Sequence, residues 1–406
     1  MPEQHLFNAI SAAGTAFCEH ELMLRRFVSI LGSLFVGCAA HPSSPPNAPV
    51  DALNSGVILV PRVVVTEGSA RSLDELFAEA QMLEAAGRFQ DAAPKFRRVF
   101  ELEPRGRLAM QALFHAASAA DEAGLLEASL KDYDKFYRSF PEHELSLAAL
   151  VRTARLLIHL EKWARAGEVA DVLLARLDTL ADLARVAAYS AKALALIAVA
   201  DDEHAAYFVE KGRQVLEALN LDAAGKLPSD AAPLYFALGE VRRLRADRIR
   251  FNPVPKEFGQ VLEQRCQLLL DAQSAYSNSM RAYDAHWSAM AGFRVGELYH
   301  ALHSDLMLVP APAGATDVGK QRLFEGAMRL RYSVLLKKAL SMMEHTVSMA
   351  DRTGETSEWV NRARASRVAL EEDVKKEQAA IDQLGFSRSD LQAALDRLTQ
   401  KASGSH

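Results

Sequence analysis

Hydrophobic and small residues recur at a spacing of 37 between Leu73 and about Ala175. Three copies of the pattern can be aligned, and most columns of the alignment hold similar residues. The clearest columns are Leu76, Leu113 and Leu150; Ala80, Ala117 and Ala154; Phe89, Leu126 and Trp163; Ala92, Ser129 and Ala166; and Val99, Phe136 and Leu173. An internal repeat of this length is typical of a solenoid, in which each copy packs on its neighbours.

Each copy is predicted to form two helices separated by a turn. Gly87 and Gly124 occupy equivalent positions between the two helices, where glycine takes a left-handed backbone conformation at low cost. Pro104 and Pro141 follow the second helix, which a proline cannot continue. The alanine column is expected where the paired helices approach each other most closely.

The first copy resembles a tetratricopeptide repeat (TPR). The residues that carry the likeness are Gly87, Phe89, Ala92 and Pro104. A TPR is usually about 34 residues long, so these copies are slightly longer. The third copy keeps Trp163 and Ala166 but has Glu161 and Asp178 in place of the glycine and the proline. The resemblance implies an all-α, right-handed superhelix with a concave face that binds an extended peptide or a helix.

The rest of the chain is predicted to continue as helices. Residues 73–219 are assigned to TPR-like repeats, with a fourth helical pair at about 182–219. Residues 234–383 are assigned to degenerate repeats and long capping helices, with expected helices at about 234–250, 258–283, 285–304, 320–352 and 356–383. Residues 384–406 are expected to hold a short helix, capped by Ser387 or Ser389, and a disordered tail.

Residues 23–38 resemble the signal peptide of a bacterial lipoprotein. Arg25 and Arg26 precede an apolar run from Phe27 to Val36, which is too short to span a bilayer as a helix. The run ends in Phe-Val-Gly-Cys, similar to the motif at which cleavage precedes a lipid-modified cysteine. The resemblance therefore implies that Cys38 is the membrane anchor.

The flanking segments fit the same interpretation. Residues 1–22 show no periodicity and are predicted to be a mis-called extension, with Met23 as the true start. Residues 39–70 begin with a Pro- and Ser-rich stretch and are predicted to form a tether and an extended segment.

Ala39 follows the cysteine where an aspartate would resemble an inner-membrane retention signal. The expected location is therefore the outer membrane, facing the periplasm. The alternatives are the inner membrane or, if residues 23–38 are a buried apolar helix with a chance cysteine, the cytoplasm.

Charge and motifs exclude several classes of function. The net charge of −5 does not favour binding to nucleic acid, and the three cysteines lack the spacing of a zinc site or a disulfide framework. Glu297, His300 and His303 supply one Glu-x-x-His unit, whereas a di-iron site needs two. Because no catalytic motif is present, we predict no enzyme activity, cofactor, metal site or small-molecule substrate.

Protein partners are therefore expected, and two surfaces are candidates. The concave face is favoured because its mixed charges suit a peptide with charges of both signs; its candidate residues are Glu75, Glu79, Gln111, His115, Arg152, Arg155 and His159. The alternative is an apolar loop that contains Leu306, Met307 and Leu308, whose side chains either pack on the solenoid or bind a partner.

These features together resemble bacterial TPR lipoproteins. The long C-terminal half is most similar to the outer-membrane TPR lipoproteins of myxobacterial gliding motility machines. The resemblance implies a non-catalytic scaffold that organises other envelope proteins into a complex. The alternatives are a TPR lipoprotein of outer-membrane protein assembly or cell-wall growth, a cytosolic TPR adaptor, and an envelope murein-cleaving enzyme built on a helical solenoid.

Overall fold

A computed structural model describes residues 72–220, 227–312, 315–387 and 389–393. The predictions for the signal peptide, Cys38, the tether and the tail lie outside the described residues. Thirteen helices with their own bounds follow one another in the described part: α1 Leu73–Ala85, α2 Phe89–Leu102, α3 Ala109–Glu122, α4 Leu126–Ser139, α5 Glu144–His159, α6 Trp163–Leu174, α7 Asp182–Ala198, α8 Asp202–Ala218, α9 Ala231–Asp247, α10 Phe258–Met280, α11 Ala285–Met307, α12 Val318–Thr353 and α13 Glu358–Gln383.

The helices form an all-α solenoid, as predicted, and the described residues contain no strand. Each helix packs on the next one along the chain. From α5 onwards the odd-numbered helices also pack on one another, whereas no two even-numbered helices pack extensively within the described part. The odd-numbered helices, which are the first helices of each pair, therefore lie on the inner side of the curve.

Small residues fill the contacts between paired helices. Ala80, Ala117 and Ala154 have no exposed surface, and neither do Ala92 and Ala166 on the second helices. These alanines let the helix backbones approach closely, so that larger side chains such as those of Phe96 and Phe136 can fill the space beside them.

The turn inside each repeat has a left-handed residue in all three copies. Gly87 and Gly124 have φ angles of 71°, and Glu161 takes the same place in the third copy with a φ of 54°. A residue with a Cβ atom costs roughly 1–2 kcal/mol in this conformation. The third copy has therefore lost its glycine but kept the turn that glycine favours. α2 and α4 both end before their prolines, at Leu102 and Ser139.

The C-terminal helices are longer than those of the repeats. α9 begins at Ala231, earlier than predicted, because Pro233 falls in its first turn, where a proline leaves no hydrogen bond unmade. α11 and α12 approach closely at Gly292 and Gly296; a Cβ atom at Gly296 would lie 2.5 Å from a carbon of Met343. Residues 389–393 are helical, and Ser387 Oγ accepts a hydrogen bond from Asp390 N. None of the helices in the described ranges combines the length and apolar character needed to cross a membrane.

Candidate protein-binding groove

Four positions on each first helix of the three repeats face the inner side of the solenoid. They are separated by four, three and four residues, which places them along one face of a helix. None of them is buried. We call them the inner stripe: Asp74, Ala78, Gln81 and Ala85 on α1; Gln111, His115, Ser118 and Glu122 on α3; and Ala148, Arg152, Arg155 and His159 on α5.

The inner stripe is open along α1 and α3. Gln81, Gln111 and Glu122 are exposed, and Ser118 is half-buried. Arg152, the first charged residue of the stripe on α5, also has half of its side chain exposed. We call these five residues the open groove. It offers amide, hydroxyl, carboxylate and guanidinium groups on helices whose backbones are held by the buried alanines beneath.

Side chains beside the open groove are held in place by contacts between neighbouring repeats. The His115 ring stacks on Phe96 with 5.1 Å between the ring centroids, and its Nδ1 atom lies 3.1 Å from the Glu84 carboxylate. One nitrogen of Arg152 lies 3.8 Å from Asp121. These contacts join α1 to α3 and α3 to α5, so they fix the spacing of the repeats along the groove.

Asp121 is the most perturbed acid beside the open groove. Burial raises the pKa of its carboxyl group above the ordinary value, and Arg152 opposes that shift. A partly dehydrated carboxylate loses fewer hydrogen bonds to water when a peptide binds. It is therefore a good acceptor for a peptide N–H group.

Glu75 and Glu79 do not line the groove, contrary to the prediction. In the later copies their columns hold Ala112 and Ala116, which are buried against the preceding repeat. No described repeat precedes α1, so the same face is polar there. Glu75 forms a capping box with Ser72, and Glu79 Oε1 lies 3.0 Å from Lys95 of α2. The two glutamates therefore belong to the end of the described solenoid, as terminal repeats require.

Arg155 and His159 already contact the C-terminal helices, so a partner would have to compete with those contacts. Arg155 makes a two-pronged ion pair with Asp230 at the start of α9, with distances of 2.7 and 2.8 Å. His159 stacks on His286 near the start of α11, with ring centroids 3.9 Å apart. The prediction failed here because the curve of the solenoid brings distant helices against the third repeat.

A third contact completes this region. Trp359 Nε1, in the first turn of α13, donates a hydrogen bond of 2.7 Å to Glu161 Oε1. We call the three contacts, Arg155–Asp230, His159–His286 and Glu161–Trp359, the junction. The sequence signal that could have revealed it is the charged residue at the glycine column of the third copy, since a strained glutamate needs a compensating contact.

The predicted apolar loop overlaps the end of α11. Leu306 and Met307 are the last residues of α11, and Leu306 is buried, on the same face as Leu302 one turn earlier. Leu306 therefore packs in the core and cannot anchor a partner. Leu308 lies just after the helix, with 72% of its surface exposed. Met307 is half-buried and packs against the core, so Leu308 is the most exposed residue of the predicted set.

Glu297, His300 and His303 each have a separate ionic neighbour. Glu297 Oε2 lies 2.6 Å from Arg294, His300 lies 3.8 Å from Asp373, and His303 lies 3.6 Å from Glu377. Within the described residues no group of three His, Cys, Asp or Glu side chains has the arrangement of a metal site. The two histidines contact carboxylates of α13, so they help to hold that helix on α11.

A buried carboxylate in the C-terminal helices was not singled out from the sequence. Glu240 of α9 accepts a hydrogen bond of 2.5 Å from Tyr276 and one of 2.8 Å from Arg243, and Arg294 Nε lies 3.0 Å away. Burial alone would raise the pKa of the Glu240 carboxyl, but the two arginines outweigh it, so the pKa lies below its ordinary value. This network joins α9, α10 and α11.

Proteins similar to this chain were found among solved structures. No family model matches the chain, and no curated protein is found to be similar to it. A tetratricopeptide repeat protein from Parabacteroides merdae is 14% identical, with a TM-score of 0.36 over 73% of this chain and 100% of that one.

Two further structures have lower TM-scores. The TPR2AB domain of yeast Sti1, solved in complex with pHSP90, is 13% identical, with a TM-score of 0.23 over 76% of this chain and 98% of that one. An assembly chaperone of RpL4 (Acl4) is 15% identical, with a TM-score of 0.26 over 76% of this chain and 100% of that one. These values are too low to support any conclusion, and the solenoid fold rests on the helix packing described above.

Proposed function

We propose that the protein is a non-catalytic scaffold that binds an extended segment of a partner protein in the open groove. The observation that carries the proposal is the exposed polar stripe on the inner side of α1 and α3, which runs across two repeats and reaches Arg152. Amide and hydroxyl side chains can pair with the backbone N–H and C=O groups of an extended peptide. Glu122 and Arg152 suit a partner that carries charges of both signs.

The groove is a rigid surface, which favours binding. The buried alanines and the contacts between repeats fix the helices before the partner arrives. A partner segment then loses its own conformational freedom, but the groove loses little, so less of the interaction free energy is spent on ordering.

We further propose that the scaffold is anchored by a lipid on Cys38 to the outer membrane of a bacterial envelope, where it organises a multiprotein complex such as a motility machine. The support is the sequence of residues 23–38 and its likeness to lipoprotein signal peptides. The 33 residues between Cys38 and Ser72 can span at most about 120 Å. A partner could therefore bind the groove well away from the membrane surface.

Replacement of the cysteine tests the anchor. Cys38→Ala should move the protein from the membrane pellet to the soluble fraction of lysed cells, because no acyl chain can be attached. Cys266→Ala is the matched control, since Cys266 lies within α10, and it should leave the distribution unchanged. Retention of Cys38→Ala in the pellet would contradict the anchor but not the groove.

Photo-crosslinking in the native cell tests the groove. A benzophenone amino acid would replace Gln81 or Gln111 in the open groove and, as matched controls, Gln90 or Lys131, which are exposed on the second helices α2 and α4. We expect both groove positions to crosslink to one segment of the same partner and the control positions to give no such product. Crosslinks to that partner from the control positions alone would rule out the groove.

A further inference from the structure

The junction connects parts of the chain that are far apart in sequence. Its three contacts join residues separated by 75, 127 and 198 positions. The helices that pack extensively with α5 are α4, α6 and α7. The C-terminal helices α11 and α13 therefore meet the end of α5 through individual side chains rather than through a broad helix interface. A contact of this kind can open without disrupting the solenoid on either side.

The central contact of the junction is two imidazole rings stacked face to face. His286 is buried, and its Nδ1 atom faces Glu355 at 3.9 Å. Its Nε2 atom is buried and has no hydrogen-bond partner within the described residues. A proton added at Nε2 would be a buried donor without an acceptor, placed against the ring of His159.

The third contact keeps the backbone strained. Glu161 holds a left-handed conformation that its glycine counterparts in the earlier copies adopt without cost. Its carboxylate accepts the Trp359 hydrogen bond at the same time. Loss of the Trp359 hydrogen bond would remove one of the contacts that hold Glu161 in the left-handed conformation. The backbone strain at Glu161 therefore favours opening of the junction.

We propose that the junction is a pH-sensitive clasp, which holds the C-terminal helices against the third repeat near neutral pH and releases them as the solution becomes acidic. Opening would expose Arg155 and His159 and so extend the open groove along α5. The clasp goes beyond the proposed function and does not depend on it, since it concerns contacts within the chain alone.

The direction of the pH effect follows from the surroundings of His286. The pKa of its imidazole is lowered from 6.5 to about 4: burial and then His159 lower it, and Glu355 and Asp284 oppose them only in part. The closed junction therefore holds fewer protons than the open one between pH 6.5 and pH 4. Stability of the closed form is full above pH 6.5 and is lost as the pH falls toward 4. With a His286 pKa of 6.5 in the open junction and about 4 in the closed one, the equilibrium constant for opening increases about tenfold when the pH falls from 7.5 to 5.5.

Hydrogen exchange of the full-length chain, read by mass spectrometry, tests the clasp. Peptides that cover Leu156–Lys162 and Glu355–Val360 report on the two sides of the junction. After correction for the intrinsic effect of pH, we expect their exchange to rise about tenfold at pH 5.5 relative to pH 7.5. Peptides from α3 should change less than twofold.

Three variants separate the clasp from a general effect of acid. His286→Phe keeps an aromatic stack without the titrating ring and should reduce the pH response to less than threefold, whereas His159→Phe leaves the buried His286 in place and should keep most of the response. His204→Gln is the matched control, because His204 is exposed beside Asp201, and it should respond as the parent does. Equal corrected exchange at both pH values in the parent would overturn the proposal, as would an undiminished response in His286→Phe.

Discussion

Single side chains set the distance between paired helices. Ala117 is fully buried, and Ser129 Oγ from α4 donates a hydrogen bond of 2.9 Å to its carbonyl oxygen. A hydroxyl group can reach the backbone of a neighbouring helix only where a small residue separates the two. The alanine column is therefore a geometric requirement of the repeat, and it was visible in the sequence because the same requirement recurs every 37 residues.

A larger residue at this column should destabilise the repeat. Ala117→Leu would overpack the contact between α3 and α4 and is expected to lower the free energy of unfolding by about 1–3 kcal/mol. Urea denaturation followed by circular dichroism measures the change. Ala164→Leu is the matched control, because Ala164 is exposed on α6, and it should change stability by less than about 0.5 kcal/mol. Equal stability of the two variants would mean that the helices are packed differently.

Glu161 shows how one residue can serve two purposes that conflict. Its left-handed backbone favours glycine, while its carboxylate binds Trp359. Glu161→Ala loses the hydrogen bond and keeps the strain, whereas Glu161→Gly loses the hydrogen bond and relieves the strain. We therefore expect the glycine variant to be more stable than the alanine variant by about 1–2 kcal/mol in urea denaturation. The opposite order would show that the turn is not left-handed in solution.

At the scale of helices, most boundaries were predictable from the sequence. Apolar periodicity located α7, α8 and α10 to α13 to within a few residues, because amphipathic helices bury one face each. The predicted end of α11 was three residues too early. The apolar residues after residue 304 were assigned to a loop, but the first of them continue the buried face of the helix. Glu75 and Glu79 were assigned to the groove because the repeat pattern alone does not distinguish the face at the end of the solenoid from the face that lines the groove.

The buried network around Glu240 gives the strongest prediction at this scale. Arg294→Met removes one of the two arginines that face a fully buried carboxylate, so it should cost about 3–5 kcal/mol of unfolding free energy. Arg213→Met is a suitable control, because the partners of Arg213 on α8 are exposed. It should cost less than about 1 kcal/mol. Similar small losses in both variants, measured by urea denaturation, would show that Glu240 is solvated.

At the scale of the whole molecule, the repeat predicts only contacts between neighbours. The path of the superhelix depends on small rotations that accumulate from repeat to repeat, and a 37-residue period does not specify them. Contacts such as Arg155–Asp230 therefore could not be inferred from the sequence. They divide the inner stripe into the open groove, which runs along α1 and α3 to Arg152, and an occupied part at Arg155 and His159.

The affinity of the partner for matched pairs of variants tests the open groove most directly. Gln111→Ala/Arg152→Ala removes an amide and a guanidinium from the groove, and Gln90→Ala/Arg138→Ala removes the same groups from exposed positions on α2 and α4. Calorimetry with the crosslinked partner segment should give a dissociation constant about tenfold higher for the groove pair and within about twofold of the parent for the control pair. A weaker affinity for the control pair or for Leu308→Ser, with the groove pair unchanged, would contradict the account.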